Sequence, residues 1–268
     1  MIIKRAGRAV YEYFWHYVGF LYFGVVGALY SVVAALLYLL LPSGSRAQFG
    51  KRSIGVLFRV FLALMRASGV MKLDLSALDA LRGQPGLVIA PNHPCLLDAV
   101  FVIAHVPDVT CIMKAQIWDN LALGGGARLA GYIRNDSAHG MVRCSARELR
   151  GGRPLLVFPE GTRTRRRPIN DFKGGFALIA KMARAPIQTV FIETDSPFLG
   201  KGWPLLKKPR FPLIYRARLG RRFTVEGDVK AFVYQLEEYF RQELAGQPAE
   251  QPSTVLRPTG SPHPGPAA

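Results

Sequence analysis

Between Tyr13 and Ser45 the chain carries no Asp, Glu, Lys or Arg, and residues 14–41 are almost wholly apolar or aromatic. Roughly 20 apolar residues cross a bilayer core, so the segment predicts one tilted span or a helical hairpin that enters and returns. Lys4, Arg5 and Arg8 precede it, and Arg46, Lys51 and Arg52 follow it. Basic flanks on both sides leave orientation undecided by positive-inside bias. Their symmetry fits a hairpin with both ends at the cytoplasmic face. A cleaved signal peptide is the alternative, but the run exceeds the roughly 7–15 residues of a signal core. Its many aromatics, among them Tyr17, Phe20, Tyr22 and Tyr38, suit a permanent interfacial anchor.

The rest of the chain divides by pattern. Residues 51–70 set Ile54, Leu57, Phe58, Phe61, Leu62 and Met65 at three- and four-residue steps, which predicts an amphipathic helix. Beyond Met71, strand-like runs alternate with helical ones. Strands are predicted at 87–90, 109–113, 155–158 and 187–192, with edge strands at 214–218 and 223–225. Helices are predicted from Pro94, over 172–184, and after an Asp228 cap through Leu244. This alternation predicts an α/β fold, a single layered domain with a largely parallel sheet flanked by helices. The division is a membrane anchor at 1–50, a catalytic domain at 51–246 and a disordered Pro/Gly-rich tail at 247–268.

The formal charge is +17, from 35 Lys and Arg against 18 Asp and Glu. Such a field attracts anionic headgroups, phosphorylated substrates or nucleic acid. The adjacent apolar segment favours the membrane, and no aromatics interleave the basic runs as stacking on nucleic acid requires. Cys95, Cys111 and Cys144 form no CxxC pair or zinc-ligand spacing, so no metal and no cofactor is expected.

Two polar loops follow apolar strands. In Asn92-His93-Pro94-Cys95-Leu96-Leu97-Asp98, proline is suited to a helix start, with Asp98 about a turn further in. From there the carboxylate can orient one imidazole nitrogen and leave the other as a general base for a hydroxyl. In Phe158-Pro159-Glu160-Gly161-Thr162-Arg163-Thr164, glycine allows close backbone approach, Thr162 offers a hydroxyl and Arg163 a phosphate-binding fork, extended by Arg165, Arg166 and Arg167. Loops at strand ends of a parallel sheet converge on one edge. Cys95 invites a thiol-nucleophile reading against a packing role, and His105 and His139 read as structural or solvated.

These blocks resemble the glycerolipid acyltransferases, the 1-acylglycerol-3-phosphate acyltransferase-like family. Residues 92–98 are similar to its His-x4-Asp block and residues 158–164 to its third block. The resemblance implies His93 and Asp98 as catalytic residues, with Glu160, Gly161, Thr162 and Arg163 binding the acceptor's phosphate. Gly131-Tyr132-Ile133-Arg134 is the nearest counterpart of the second block, making Arg134 a further substrate-binding residue. The fourth block has Gln188-Thr189 where the family often has Val-Pro.

The implied activity is transfer of a fatty acyl group from acyl-ACP or acyl-CoA to a lysophospholipid hydroxyl, 1-acyl-sn-glycerol 3-phosphate first among candidates. A different lipid acceptor is the alternative within the fold, and a non-catalytic protein binding anionic lipid the alternative outside it. The partners are then the acyl donor, the lysolipid and membrane lipids, with no nucleic acid. The place is a membrane with the active site on its cytoplasmic side, the inner membrane in a bacterium. Chain length of the acyl group and oligomeric state are not encoded in any recognisable motif.

Overall fold

The computed structural model describes residues 2–120, 124–166 and 168–246; the predicted tail and Arg167 lie outside them. The apolar segment forms one continuous rod, made of helix α1 (Ile2–Leu21), a π-turn over Tyr22–Val26 and helix α2 (Gly27–Leu40). By length and composition, Ala6–Leu40 is able to cross a bilayer. At 1.5 Å per residue it measures about 50 Å. The chain reverses at Leu41-Pro42, where Leu41 is extended and the proline favours an extended predecessor. Helix α3 (Ser43–Ala67) then runs back along the rod. Tyr11 donates to the Ser68 carbonyl, Tyr22 to that of Leu57 and Tyr30 to that of Gly50, which fixes the antiparallel pairing. A hairpin therefore exists, but its turn lies at the end of the apolar run. The basic amphipathic α3 is its second arm.

The body contains β1 (Met71–Asp74), β2 (Val88–Pro91), α4 (Asp98–His105), β3 (Thr110–Lys114), α5 (Ala115–Trp118), α6 (Gly124–Leu129), β4 (Ile133–Asn135) and α7 (Ala138–Arg150). It continues through β5 (Leu155–Leu156), α8 (Gly175–Ala183), β6 (Ile187–Glu193), β7 (Leu213–Phe223) and α9 (Val229–Ala245). The sheet order is β1-β7-β6-β2-β5-β3-β4. The five strands from β6 to β4 are mutually parallel, β7 is antiparallel to β6, and β1 is parallel to β7. Alternate strand residues point to opposite faces. Val88 and Ala90 join a core with α7, α8 and α9, whereas Ile89 joins one with α3 and α4. Burial on both faces explains the continuous apolar runs that marked these strands in the sequence.

Several elements differ from their sequence expectation. The two edge strands predicted at 214–218 and 223–225 merge into one strand, β7, which ends at Phe223; β6 pairs along one side of it and β1 covers residues 213–216 on the other. Ser-Ala-His-Gly around His139 is a helix start, because the Ser137 side chain accepts the Gly140 N–H and caps α7. Asp228 caps α9 as expected, its carboxylate accepting the Ala231 N–H.

The rod docks lengthwise on the body. Its inward face is buried at His16, Ser31 and Ala34, while Val10, Phe14, Leu21, Val25, Leu29, Val32, Leu36 and Leu39 face outward. Gly125 permits the closest approach, for a Cβ there would run into the Ser31 backbone, and its N–H instead donates to the Ser31 hydroxyl.

Candidate active site

Strand β2 ends at Pro91, and Asn92 prolongs its pairing by side chain. Its amide donates to the Ile192 carbonyl and accepts the Ile192 N–H, at 3.0 and 2.7 Å. That anchors the backbone immediately before His93. Residues 94–97 form a turn rather than the predicted helix, and α4 begins at Asp98 itself. The physical reason is the Asp98 carboxylate, which folds back to accept the Cys95 N–H at 2.8 Å. The same oxygen lies 2.7 Å from His93 Nδ1, and Cys95 Sγ donates to the other oxygen at 3.1 Å. Asp98 is fully buried. Burial pushes its carboxyl up from the ordinary value, while the His93 and Cys95 donors hold it down.

His93 is thus held with Nδ1 toward the carboxylate and its side chain 15% exposed. Its ring stacks on Phe158, with centroids 3.8 Å apart and planes 16° from parallel. The geometry leaves Nε2 as the nitrogen for a substrate proton. Cys95 is buried at 1% exposure, and burial pushes its thiol well above the ordinary range. A neutral thiol engaged with Asp98 is a poor nucleophile. Cys95→Ser is expected to retain turnover within a few-fold, measured by acyl transfer after thiol alkylation. A complete loss would restore the acyl-enzyme reading.

The second loop is bolted to the first through Glu160. Its carboxylate accepts the His93 N–H at 2.9 Å, the Thr164 hydroxyl at 2.8 Å and the Asn170 N–H at 2.8 Å. The Thr164 N–H closes the clamp on the His93 carbonyl at 2.8 Å. Burial raises the Glu160 carboxyl, and these donors oppose it. Glu160 at 1% exposure is therefore an internal brace, not an open face for a ligand. Gly161 takes φ +66, the left-handed conformation that lets the loop fold over the brace. Thr162 is half-buried, and Arg163 donates through Nη1 to the Leu199 and Gly200 carbonyls at 2.8 and 2.9 Å.

This last contact brings in a segment that no motif flagged. Lys201, next after the carbonyls held by Arg163, is fully exposed, and the positive field of Arg165, Lys114 and Arg163 lowers its ammonium pKa. Lys114 ends β3, on the same sheet edge as His93. Among the described residues, none of Lys114, Arg165 and Lys201 has an ion pair with a carboxylate, so positive charge accumulates beside the histidine. Arg134 is not one of this group. It lies one strand further out, with Asp119 and Asp136 at 3.1 and 3.2 Å, and its charge is already matched.

Residues 72–193, which hold both loops, match the family model described as Acyltransferase. This region is an acyltransferase domain. Its architecture is also similar to the crystal structure of the 1-acyl-sn-glycerophosphate (LPA) acyltransferase PlsC from Thermotoga maritima. The TM-score is 0.65, with 16% identity over 92% of this chain and 100% of that one. At such identity the likeness is one of fold.

An apolar cavity adjoins the acyltransferase domain's two loops. Trp15, Phe20 and Phe23 of the rod close it on one side, and Leu97, Phe198 and Leu199 on the other. Its free volume is only about 40 Å³, and it is partly open to solvent. Leu97 directly precedes Asp98, and Leu199 is the residue whose carbonyl Arg163 holds. Through Leu97 and Leu199 the cavity borders the histidine–carboxylate loop and the carbonyl that Arg163 holds.

Proposed function

We propose that this protein transfers a fatty acyl group from an acyl thioester, acyl-ACP or acyl-CoA, to the free hydroxyl of a lysophospholipid, with 1-acyl-sn-glycerol 3-phosphate as the acceptor. The observation that carries the reading is the Glu160 clamp, which fixes the His93–Asp98 pair beside Arg163 and its cationic neighbours. In the proposed reaction His93 Nε2 takes the acceptor's hydroxyl proton as that oxygen attacks the thioester carbonyl. The tetrahedral intermediate collapses, the C–S bond breaks, and the thiolate leaves with the proton carried by the imidazolium. Asp98 stabilises that imidazolium. No acyl-enzyme is formed.

Arg163, Lys114, Arg165 and Lys201 would take the acceptor's phosphate, and the apolar cavity, widened where the rod meets the domain, would admit an acyl chain. The rod's lengthwise docking favours its lying in one leaflet over spanning, because its inner face is already committed to protein. We place the active site at the cytoplasmic side, where acyl-ACP and acyl-CoA are found. The test is an acceptor panel given to the purified protein with acyl thioester. Lysophosphatidate should be acylated in strong preference to monoacylglycerol, which lacks the phosphate. Equal use of both would remove the phosphate reading. Lys201→Ala should raise the acceptor KM roughly two- to fivefold, the scale of one solvent-exposed ion pair. The kcat should stay nearly unchanged, and an unaltered KM would take Lys201 out of the site.

A further inference from the structure

The segment between β6 and β7 has no part in the sheet, yet it carries an unusual surface. From Ser196 to Pro212 it has no acidic residue, while Lys201, Lys207, Lys208 and Arg210 are all cationic. At its tip Leu205 and Leu206 are 56% and 67% exposed, beside Trp203. Single exposed leucines are unremarkable. Two adjacent ones next to a tryptophan and ringed by lysines are the composition of an interfacial membrane contact, where apolar tips enter the acyl region and cations meet phosphates.

The position of this tip supplies the second argument. It is tied to the N-terminal rod, for the Lys208 ammonium lies 2.7 Å from a Glu12 carboxylate oxygen and 5.1 Å from the centre of the Tyr13 ring. The Leu206 carbonyl lies 3.4 Å from His16 Nε2. Tyr13 and Tyr17 of the same helix are exposed. The loop therefore abuts the rod beside its exposed Tyr13, so the two surfaces are contiguous. The two ends of the segment, at Phe198 and Phe211, line the apolar cavity.

From this continuity we infer that the loop around Leu205 and Leu206 is a second membrane-inserting element, seated in the headgroup–acyl boundary of an anionic bilayer beside the rod. It holds the mouth of the apolar cavity against the lipid, so a lysolipid passes from bilayer to site without crossing water. The inference rests on the membrane reading of the rod.

The experiment uses the full chain in vesicles of phosphatidylglycerol and phosphatidylethanolamine. A Cys144→Ser background leaves only the buried Cys95 and Cys111. An environment-sensitive fluorophore is attached in turn to Leu205→Cys, to Leu29→Cys on the rod's outer face, and to Tyr234→Cys on α9. The expected result is a blue shift, loss of iodide quenching and quenching by spin-labelled lipid at positions 205 and 29, with position 234 remaining water-accessible. If position 29 is embedded while 205 behaves like 234, the loop inference is overturned and the membrane reading stands. If 29 and 205 both behave like 234, the membrane reading falls and takes the loop with it.

Discussion

Replacing His93 by alanine is expected to lower kcat for acyl transfer by about 10²–10⁴-fold, the range that a positioned general base supplies. The ring's contacts are the Asp98 carboxylate and the face of Phe158. The His93 main-chain N–H and carbonyl, which the Glu160 carboxylate and the Thr164 N–H engage, survive the substitution. The chain should stay folded and partition into vesicles like the parent, melting a few degrees lower because the buried Asp98 loses a donor. The assay is thioester-dependent product formation at saturating substrates, with vesicle flotation as the control. Residual turnover within a few-fold of the parent would remove the general-base assignment.

Asp98→Asn separates chemistry from stability more sharply. An asparagine oxygen in the Oδ2 place can still accept both the Cys95 N–H and the His93 Nδ1–H, which leaves the amide nitrogen facing the Cys95 sulfur. The geometry is kept, and what is lost is the negative charge that stabilises the imidazolium. The expected loss is about 10²–10⁴-fold in kcat, the range over which a general base that depends on this charge contributes. Stability should move the other way. Burial raises the Asp98 carboxyl in the folded state, so the folded chain holds that proton more tightly than the unfolded one. The favourable contribution of the acid form is complete below the ordinary carboxylate range and is lost as pH rises through the raised value. At neutral pH the aspartate is a net cost, and Asp98→Asn should unfold at an equal or higher temperature. That advantage should shrink as pH falls toward the ordinary carboxylate range. Paired thermal melts across pH test it, and an asparagine variant that melts markedly lower at neutral pH would contradict the electrostatics described here.

The parallel half of the sheet was legible in the sequence because both its faces are buried, which writes strands as short apolar runs such as residues 187–192. Strands β1 and β4 were not, since the one carries Lys72 and Asp74 and the other is three residues long with Arg134 and Asn135. The hairpin was visible as a possibility, but its turn was not placed, because apolarity marks the first arm whereas the second reads as an ordinary amphipathic helix. At the site, the fold-back of the Asp98 carboxylate onto His93 was readable from their spacing, and it does meet Nδ1. The role of Glu160 was not. A carboxylate in a polar loop reads as ligand-facing until burial and its three donors are known. Lys114 had a signal, a cation closing an apolar strand on the histidine's edge, which motif matching to Arg134 obscured. Lys201 had none, since only the Arg163 contact with the Leu199 and Gly200 carbonyls brings that loop to the site.

The central claim is general-base acyl transfer to a lysophospholipid, and one assay addresses it most directly. Purified protein and its His93→Ala variant are each given a labelled acyl thioester and 1-acyl-sn-glycerol 3-phosphate in vesicles, and labelled diacyl product is followed by chromatography. Product is expected from the parent and almost none from the variant at equal protein and equal vesicle binding. Absence of product from the parent with both acyl-ACP and acyl-CoA, or undiminished product from the variant, would contradict it.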